Sequence, residues 1–311
     1  MAEGGLISIG LCADTHYWPQ GQDFVTSDGS LQLQGSTPSL LTTLIAELQG
    51  ADLDLVLHLG DLTCGGGTYE MTPQAFVAAV TDLHRAYQAL PLPVYALPGN
   101  HDSLPGAGGW DVFHDVWGLT PGLGATIDLS LVRLILLNTH GHSPTQIAQA
   151  DEYDPVYGWV SAEELRRLDE ALATAGGRPV LVFTHQLLAP WSNHEAWRDF
   201  YAVRNATAVR EVLSRHGNVA AVFQAHAHRF DVRRMVLGRS ECPFIVLPSL
   251  IEYPLAWVRL DLDGEFLRMR LRQLPLPELL EASRTSGGGQ TWRAGRPEWQ
   301  DLTVPLRPMH V

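Results

Sequence analysis

The chain has 311 residues, 45% of them hydrophobic, which is enough to bury one large core, and its 34 acidic side chains outnumber 21 basic ones for a formal charge of −13. All the basic side chains are arginine, and there is no lysine. Such an acidic balance excludes a protein that grips extended nucleic acid through its phosphates, which needs a broad basic surface, and no window is apolar enough for a membrane span.

In chain order, residues 6–12 read as a buried strand, entered without a basic segment, a long apolar run or a cleavage site ahead of it, so a cytoplasmic location is expected. Thr37-Pro38 opens a helix with Leu40, Leu41, Leu44, Ile45 and Leu48 on one face, closed by Gly50. A strand over 53–59 follows, then a helix opened by Thr72-Pro73 that carries Phe76, Val77, Val80, Leu83 and Tyr87. After a strand over 94–97, residues 103–124 form a Gly-rich loop with Trp110, Phe113 and Trp117, and residues 134–138 read as the next strand. Ser161 with Glu164 has capping-box form ahead of Leu165, Leu168 and Leu172. A strand over 180–183, a long loop over 186–204, a helix from about 207 to 215 and a strand over 219–223 complete this alternation of strands and helices.

Beyond His228 the pattern turns β-rich, over 244–247, 256–262 and 266–271, with Asp263-Gly264 as a hairpin turn. From Leu274 the chain is rich in Pro, Gly and Arg, with a flexible stretch expected at 286–289 and with Trp292 and Trp299 able to pack on the body or on a second subunit. Cys12, Cys64 and Cys242 are odd in number and scattered, which suits reduced thiols.

Five polar clusters punctuate these elements: Asp14-Thr15-His16, Gly60-Asp61, Gly99-Asn100-His101-Asp102, Thr184-His185 and His226-Ala227-His228. Most follow a strand-like run, and ligands at the carboxyl ends of neighbouring strands can converge on one point. Singly, each has an ordinary explanation. A D-x-H or G-D pair is common by chance, and Asn100 to Asp102 after Pro98-Gly99 has the composition of a polar turn. Five in this order make coincidence a poor explanation.

The ordered set resembles the calcineurin-like metallophosphoesterase superfamily, and the likeness spans Asp14 to His228. It implies an α/β fold, a four-layer α-β-β-α sandwich of two mixed β-sheets flanked by helices. A catalytic domain over 1–273 and a Pro/Gly/Arg-rich extension over 274–311 are expected. It further implies two divalent transition-metal ions, one held by Asp14, His16, Asp61 and His228 and the other by Asp61, Asn100, His185 and His226. Manganese, iron or zinc would suit such ligands. Paired ions of this kind clamp the attacking and leaving oxygens of an in-line displacement and generate a bridging hydroxide near neutral pH. On formal counting two dications, two carboxylates and that hydroxide leave about one positive charge for an anionic phosphate. His101, left free, resembles the family's general acid, with Asp102 as its orienting partner.

One departure from the family pattern is visible, at Ala225, and Cys64 differs from one branch of the superfamily. Ala225 stands where relatives usually carry glycine before the last histidine pair, and modest distortion is expected there. Cys64 stands where purple acid phosphatases place a tyrosine ligand, so a tyrosinate-bound ferric ion is not expected.

Candidate substrate contacts are Tyr17 and Trp18, which follow the first ligand pair, His140 and His142 at a strand end, and Asn193, His194, Arg198 and Arg204 in the long loop. His58, within an apolar strand, reads as a hydrogen-bonded interior residue. The expected function is a metal-dependent phosphoesterase acting on a small phosphodiester, similar to class III cyclic-nucleotide phosphodiesterases, with no membrane partner. Phosphomonoesterase or protein phosphatase activity is the enzymatic alternative. A non-catalytic scaffold is disfavoured because the ligand positions are all filled.

Overall fold

The computed structural model describes residues 5–66, 69–106, 108–141, 157–189, 201–307 and 309–310. The chain begins with β1 (Ile7–Cys12), a small ribbon of β2 (Phe24–Val25) and β3 (Leu31–Gln32), helix α1 (Thr37–Gln49), β4 (Leu55–His58), α2 (Pro73–Gln88) and β5 (Val94–Ala96). It continues through α3 (Asp111–Trp117), β6 (Ala125–Asp128), β7 (Arg133–Leu136), α4 (Ala162–Ala173), β8 (Val180–Phe183), α5 (Ala206–His216) and β9 (Val219–Gln224). The last part holds β10 (Asp231–Leu237), β11 (Ser240–Val246), β12 (Ala256–Leu262), β13 (Phe266–Gln273), α6 (Pro277–Thr285), β14 (Asp301–Pro305) and β15 (Met309–His310).

Two sheets result, ordered β14-β13-β12-β1-β4-β5 and β10-β11-β9-β8-β7-β6, with β15 paired to β11. Both are mixed: β1, β4 and β5 run parallel while β12 lies antiparallel to β1, and β7, β8, β9 and β11 run parallel between antiparallel β6 and β10. The alternation of side chains along the strands explains the layering. Ile9, Leu11, Leu57, Val258 and Leu260 of one sheet share a core with Leu134, Leu136, Phe183, Phe223 and Ile245 of the other. Phe183 and Phe223 stack at 5.0 Å there, and burying each ring is worth about 1.5–3 kcal/mol. Cys12 and Val56, on the opposite face, pack with Leu40, Leu44, Phe76 and Leu83 of α1 and α2. Val180, Val182 and Val222 do the same with Leu168, Val209 and Leu213 of α4 and α5. The architecture is therefore α/β, with two sheets face to face and helices outside.

The helix starts follow their sequence signals with one difference. Thr72 caps α2 by accepting from the Ala75 amide at 3.2 Å, and Ser161 caps α4 by accepting from the Glu164 amide at 3.1 Å. Glu164 does not return the bond, so the expected capping box is half formed. Its buried carboxylate accepts instead from the amides of Gly124 and Asn138 at 3.1 and 2.9 Å and pairs with Arg167 at 2.6 Å. Beyond Gln273, α6 packs near β3, residues 286–288 form a single 3-10 turn, and β14 completes the first sheet. Trp299 packs on the inter-sheet core, whereas Trp292, 43% exposed, lies between Arg229 and Arg293. No helix among the described residues is long and apolar enough to cross a membrane.

Candidate metal centre

The parallel strands β1, β4 and β5 end side by side, and the chain bends sharply as it leaves them. The Asp14 amide donates to the Gly60 carbonyl and the His16 amide to the Asp61 carbonyl, both at 3.0 Å, which knits the first two clusters together. Among the described residues, seven non-glycine positions have positive φ, and five of them are Asp14, His16, Asp61, His226 and His228. Backbone strain gathered in this way marks a place where side-chain direction outweighs local comfort. Gly99 is needed for closeness, because a Cβ there would collide with the carboxylate and backbone nitrogen of Asp61. Ala225 is not among the positive-φ residues and its amide donates to the His185 carbonyl at 2.9 Å, so the distortion expected at this alanine does not appear in its backbone.

The side chains gather into two groups, Asp14 with His16, Asp61 and His228, and Asp61 with His185 and His226; within each group the ligand-type atoms lie within 4.8 Å of one another. Asp61 belongs to both. Its Oδ2 lies 3.3 Å from His185 Nε2, 3.7 Å from His16 Nε2 and 3.8 Å from His226 Nδ1, and Asp14 Oδ1 lies 3.6 Å from His228 Nε2. Asn100 Oδ1 joins the second group, 3.3 Å from His185 Nε2. His185 Nδ1 donates to the Leu59 carbonyl at 2.7 Å and His228 Nδ1 to Glu252 at 2.5 Å, which leaves Nε2 of both rings for the centre.

The residues fit divalent cations. Both carboxylate oxygens of Asp14 are buried with no hydrogen-bond partner among the described residues, a costly arrangement that a cation between Asp14 and His228 would relieve. Burial holds His16 well below its ordinary value and His226 down to about 4, in the neutral form that ligates, and pushes Asp14 up to about 7. Burial also opposes charge on His185, but Asp61 outweighs it and lifts that ring to about 9. Asp61 thus favours positive charge at this ring, which a bound cation would supply in place of a proton.

His101 sits against this centre. Its amide donates to Asp61 Oδ1 at 2.8 Å, its ring lies 4.9 Å from that of His16, and Nδ1 donates to the Gly65 carbonyl at 2.8 Å. Asp102 does not touch the His101 ring. Its carboxylate accepts instead from the amides of Gly99, Thr63 and Leu62 at 2.8, 2.9 and 3.2 Å, so it ties the Asp61 loop to the Asn100 turn.

The candidate substrate residues fare unequally. Tyr17 is buried in the helix-side core with Trp18 packed against it. His140 is also buried, stacked on Trp110 at 4.7 Å and hydrogen-bonded to Gln186 at 2.8 Å, 6.2 Å from the His185 ring. Arg204 is exposed, its guanidinium 3.7 Å over the Tyr157 ring. His142, Asn193, His194 and Arg198 lie outside the described residues. His58 is interior, bonded to Thr15 Oγ1 at 2.7 Å. Cys64 donates to the His16 carbonyl at 3.0 Å and burial pushes its thiol up, so it packs as a neutral thiol.

Two residues near the centre had no motif to announce them. Glu252 holds His228, and its sole sequence signal is its place in the loop after strand β11. Tyr69 stands with its ring 5.0 Å from His101 and 5.7 Å from His16, its hydroxyl donating to Gln32 at 2.7 Å.

Comparison with known proteins agrees with this geometry. The family model for calcineurin-like phosphoesterases matches residues 7–230. The chain belongs to that family. It is 27% identical over 227 residues to a 3′,5′-cyclic-nucleotide phosphodiesterase of Nostoc sp., covering 72% of each chain. It is 25% identical over 205 residues to the 3′,5′-cyclic adenosine monophosphate phosphodiesterase CpdA of Haemophilus influenzae, covering 65% of each. Among solved structures, a dimetal phosphatase from Danio rerio superposes with a TM-score of 0.67 at 18% identity, over 96% of this chain and 99% of that one. The last likeness is one of fold.

Proposed function

We propose that the protein is a dinuclear metal-dependent phosphodiesterase for a small, nucleotide-derived diester. The observation that carries this reading is the sharing of Asp61 between both ligand groups. In the proposed centre Asp14, His16, Asp61 and His228 hold one ion, and Asp61, Asn100, His185 and His226 the other. When bound, the pair supplies charge stabilisation of the phosphoryl oxygens and activates the attacking water.

The chain's own residues do the rest. Asp61 fixes the spacing of the two groups, and through Oδ1 it also fixes the backbone of His101. The Gly65 carbonyl can only accept, so Nδ1 of His101 keeps its proton, and the ring donates to the leaving oxygen from Nε2 only when doubly protonated, a form that burial opposes and the Asp61 charge favours. Leu59 and Glu252 set the tautomers of His185 and His228 in the same way. The diester preference draws support from the cyclic-nucleotide phosphodiesterases among the relatives. A diester also carries one negative charge where a monoester carries about two, so it asks for fewer cationic side chains beside the metals.

The test is a comparison of bis-p-nitrophenyl phosphate with p-nitrophenyl phosphate on chelator-stripped protein given no manganese, one equivalent or two. The reading expects activity to require the second equivalent and kcat/KM to be higher for the diester. A monoester preference would make a phosphomonoesterase or protein phosphatase the better description.

A further inference from the structure

The stretch matched by the family model ends at residue 230, yet one of the ligand candidates is held in place by residues beyond it. His228 Nδ1 donates to Glu252 Oε1 at 2.5 Å. Arg293 Nη2 stands 3.3 Å from Glu252 Oε2, and Nη1 of the same guanidinium donates to the His228 carbonyl at 3.0 Å. The fork is itself fixed, because Nη2 donates to Ser30 Oγ at 3.1 Å and Nε to Gln290 Oε1 at 2.8 Å. The Phe230 amide donates to the Arg293 carbonyl at 2.7 Å, so main chain and side chain of Arg293 both grip the segment that carries His228. Arg293 is 7% exposed and Glu252 1%.

Each contact has a physical consequence. An imidazole whose far nitrogen is tied to a carboxylate has its ring direction and tautomer fixed, and its other nitrogen becomes a stronger donor to a metal. A carboxylate buried as deeply as Glu252 is stabilised by an opposite charge beside it. Arg293 supplies that charge in a planar fork that also reaches the His228 backbone, a geometry that lysine cannot copy. By contrast, His185 takes its orienting bond from Leu59, within the family-matched stretch.

We infer that Glu252 and Arg293 are positioning residues for His228, so that the C-terminal segment sets the affinity of the metal group made by Asp14, His16, Asp61 and His228. The inference rests on the dinuclear reading. It extends that reading by making the two groups depend on different parts of the chain.

The test is a cobalt titration of chelator-stripped full-length protein, followed by visible absorption and calorimetry, for wild type, Glu252→Gln, Arg293→Met and Arg293→Lys. Wild type should show two binding events. Glu252→Gln and Arg293→Met should weaken one event by about tenfold to a hundredfold and shift its ligand-field bands while sparing the other. The same loss should persist in a His185→Ala background, where the group containing His228 alone remains, and Arg293→Lys should recover part of it. Unchanged cobalt affinities would overturn the inference, as would equal loss of both events, since a purely structural role of the tail predicts the latter. Fewer than two events in the wild type is the separate result that removes the dinuclear reading, and this inference with it. Circular dichroism of each variant separates a lost fold from a lost metal, and the nearly isosteric Glu252→Gln carries the test if Arg293→Met does not fold.

Discussion

The backbone amide of His101 donates to Oδ1 of Asp61 at 2.8 Å, while Oδ2 of the same carboxylate faces His185, His16 and His226. One side chain therefore sets the spacing of two ligand groups and the position of the histidine beside them. Neither oxygen can be replaced by a group of different reach without disturbing both.

Removal of that side chain is the most direct test. Asp61→Ala should lower kcat/KM by about 10³-fold or more, equivalent to roughly 4 kcal/mol of lost transition-state stabilisation, and leave at most one metal per chain by elemental analysis. Full occupancy with retained turnover would falsify the bridging role.

Proton donation can be separated from ligation. His101→Ala should keep both metals but slow substrates with poor leaving groups by about 10²–10⁴-fold, and activated aryl esters far less, since these need little protonation. Equal losses on both substrate classes, or loss of metal, would remove His101 from the role.

Close approach at Gly99 offers a steric test that leaves every ligand in place. Gly99→Ala puts a methyl group against Asp61, and overpacking of this kind costs about 1–3 kcal/mol. The expected result is a lower melting temperature together with weaker metal binding. A variant with wild-type metal affinity would show that the Asn100 turn can move away from Asp61 without consequence.

The legibility of these features in the sequence follows their span. Asp14 to His16 and Asn100 to Asp102 are short clusters at strand ends, so residue type and local order single them out in the sequence. The inter-sheet core was legible for a similar reason, because runs such as Ile7–Cys12 and Val219–Gln224 are buried along their whole length. Glu252 and Arg293 carry no sequence signal for this role because their contacts with His228 cross 24 and 65 residues, and no local pattern records such distances. The expected pairing of Asp102 with the His101 ring does not form, for a related reason. Adjacency in sequence to His101 suggested a side-chain pair, whereas a 3-10 turn directs its carboxylate to backbone amides of another loop. Glu164 likewise had capping-box spacing, but its burial beside the end of β7 gave its carboxylate stronger claims.

Stability should depend on pH through a cluster far from the centre. Burial alone would raise the Asp261 carboxyl, but bonds from Ser8, Arg270 and Arg259 bring it below the ordinary carboxylate value. A lowered folded-state pKa means that the unfolded chain binds the proton more tightly. The stabilisation is then present above the unfolded value of about 3.9 and is lost as pH falls through the lower folded value. Asp261→Asn should cost about 1–3 kcal/mol at pH 7, with a deficit against wild type that shrinks below about pH 4. Urea unfolding of both proteins at several pH values measures it, and a deficit that stays constant across that window would show that Asp261 acts through packing alone.

Substrate choice is the remaining prediction, and it depends on what surrounds the leaving group. His101 and Tyr69 stand together at the centre, and the ring of Phe24, 38% exposed on the β2–β3 ribbon, meets Tyr69 edge-on at 5.4 Å. An aromatic step of this kind leading from the proton donor to solvent suits a planar base more than a bare phosphate. With manganese supplied, 3′,5′-cyclic nucleotides should therefore be turned over with a higher kcat/KM than ADP-ribose. Phe24→Ala should raise KM for the cyclic nucleotides severalfold, about 1 kcal/mol of lost stacking, while leaving bis-p-nitrophenyl phosphate hydrolysis at saturation nearly unchanged. Steady-state kinetics on 2′,3′- and 3′,5′-cyclic nucleotides, ADP-ribose and the aryl diester decide the matter. A preference for ADP-ribose would assign the centre to pyrophosphate cleavage, and an unaltered KM in Phe24→Ala would place the base on another wall of the site.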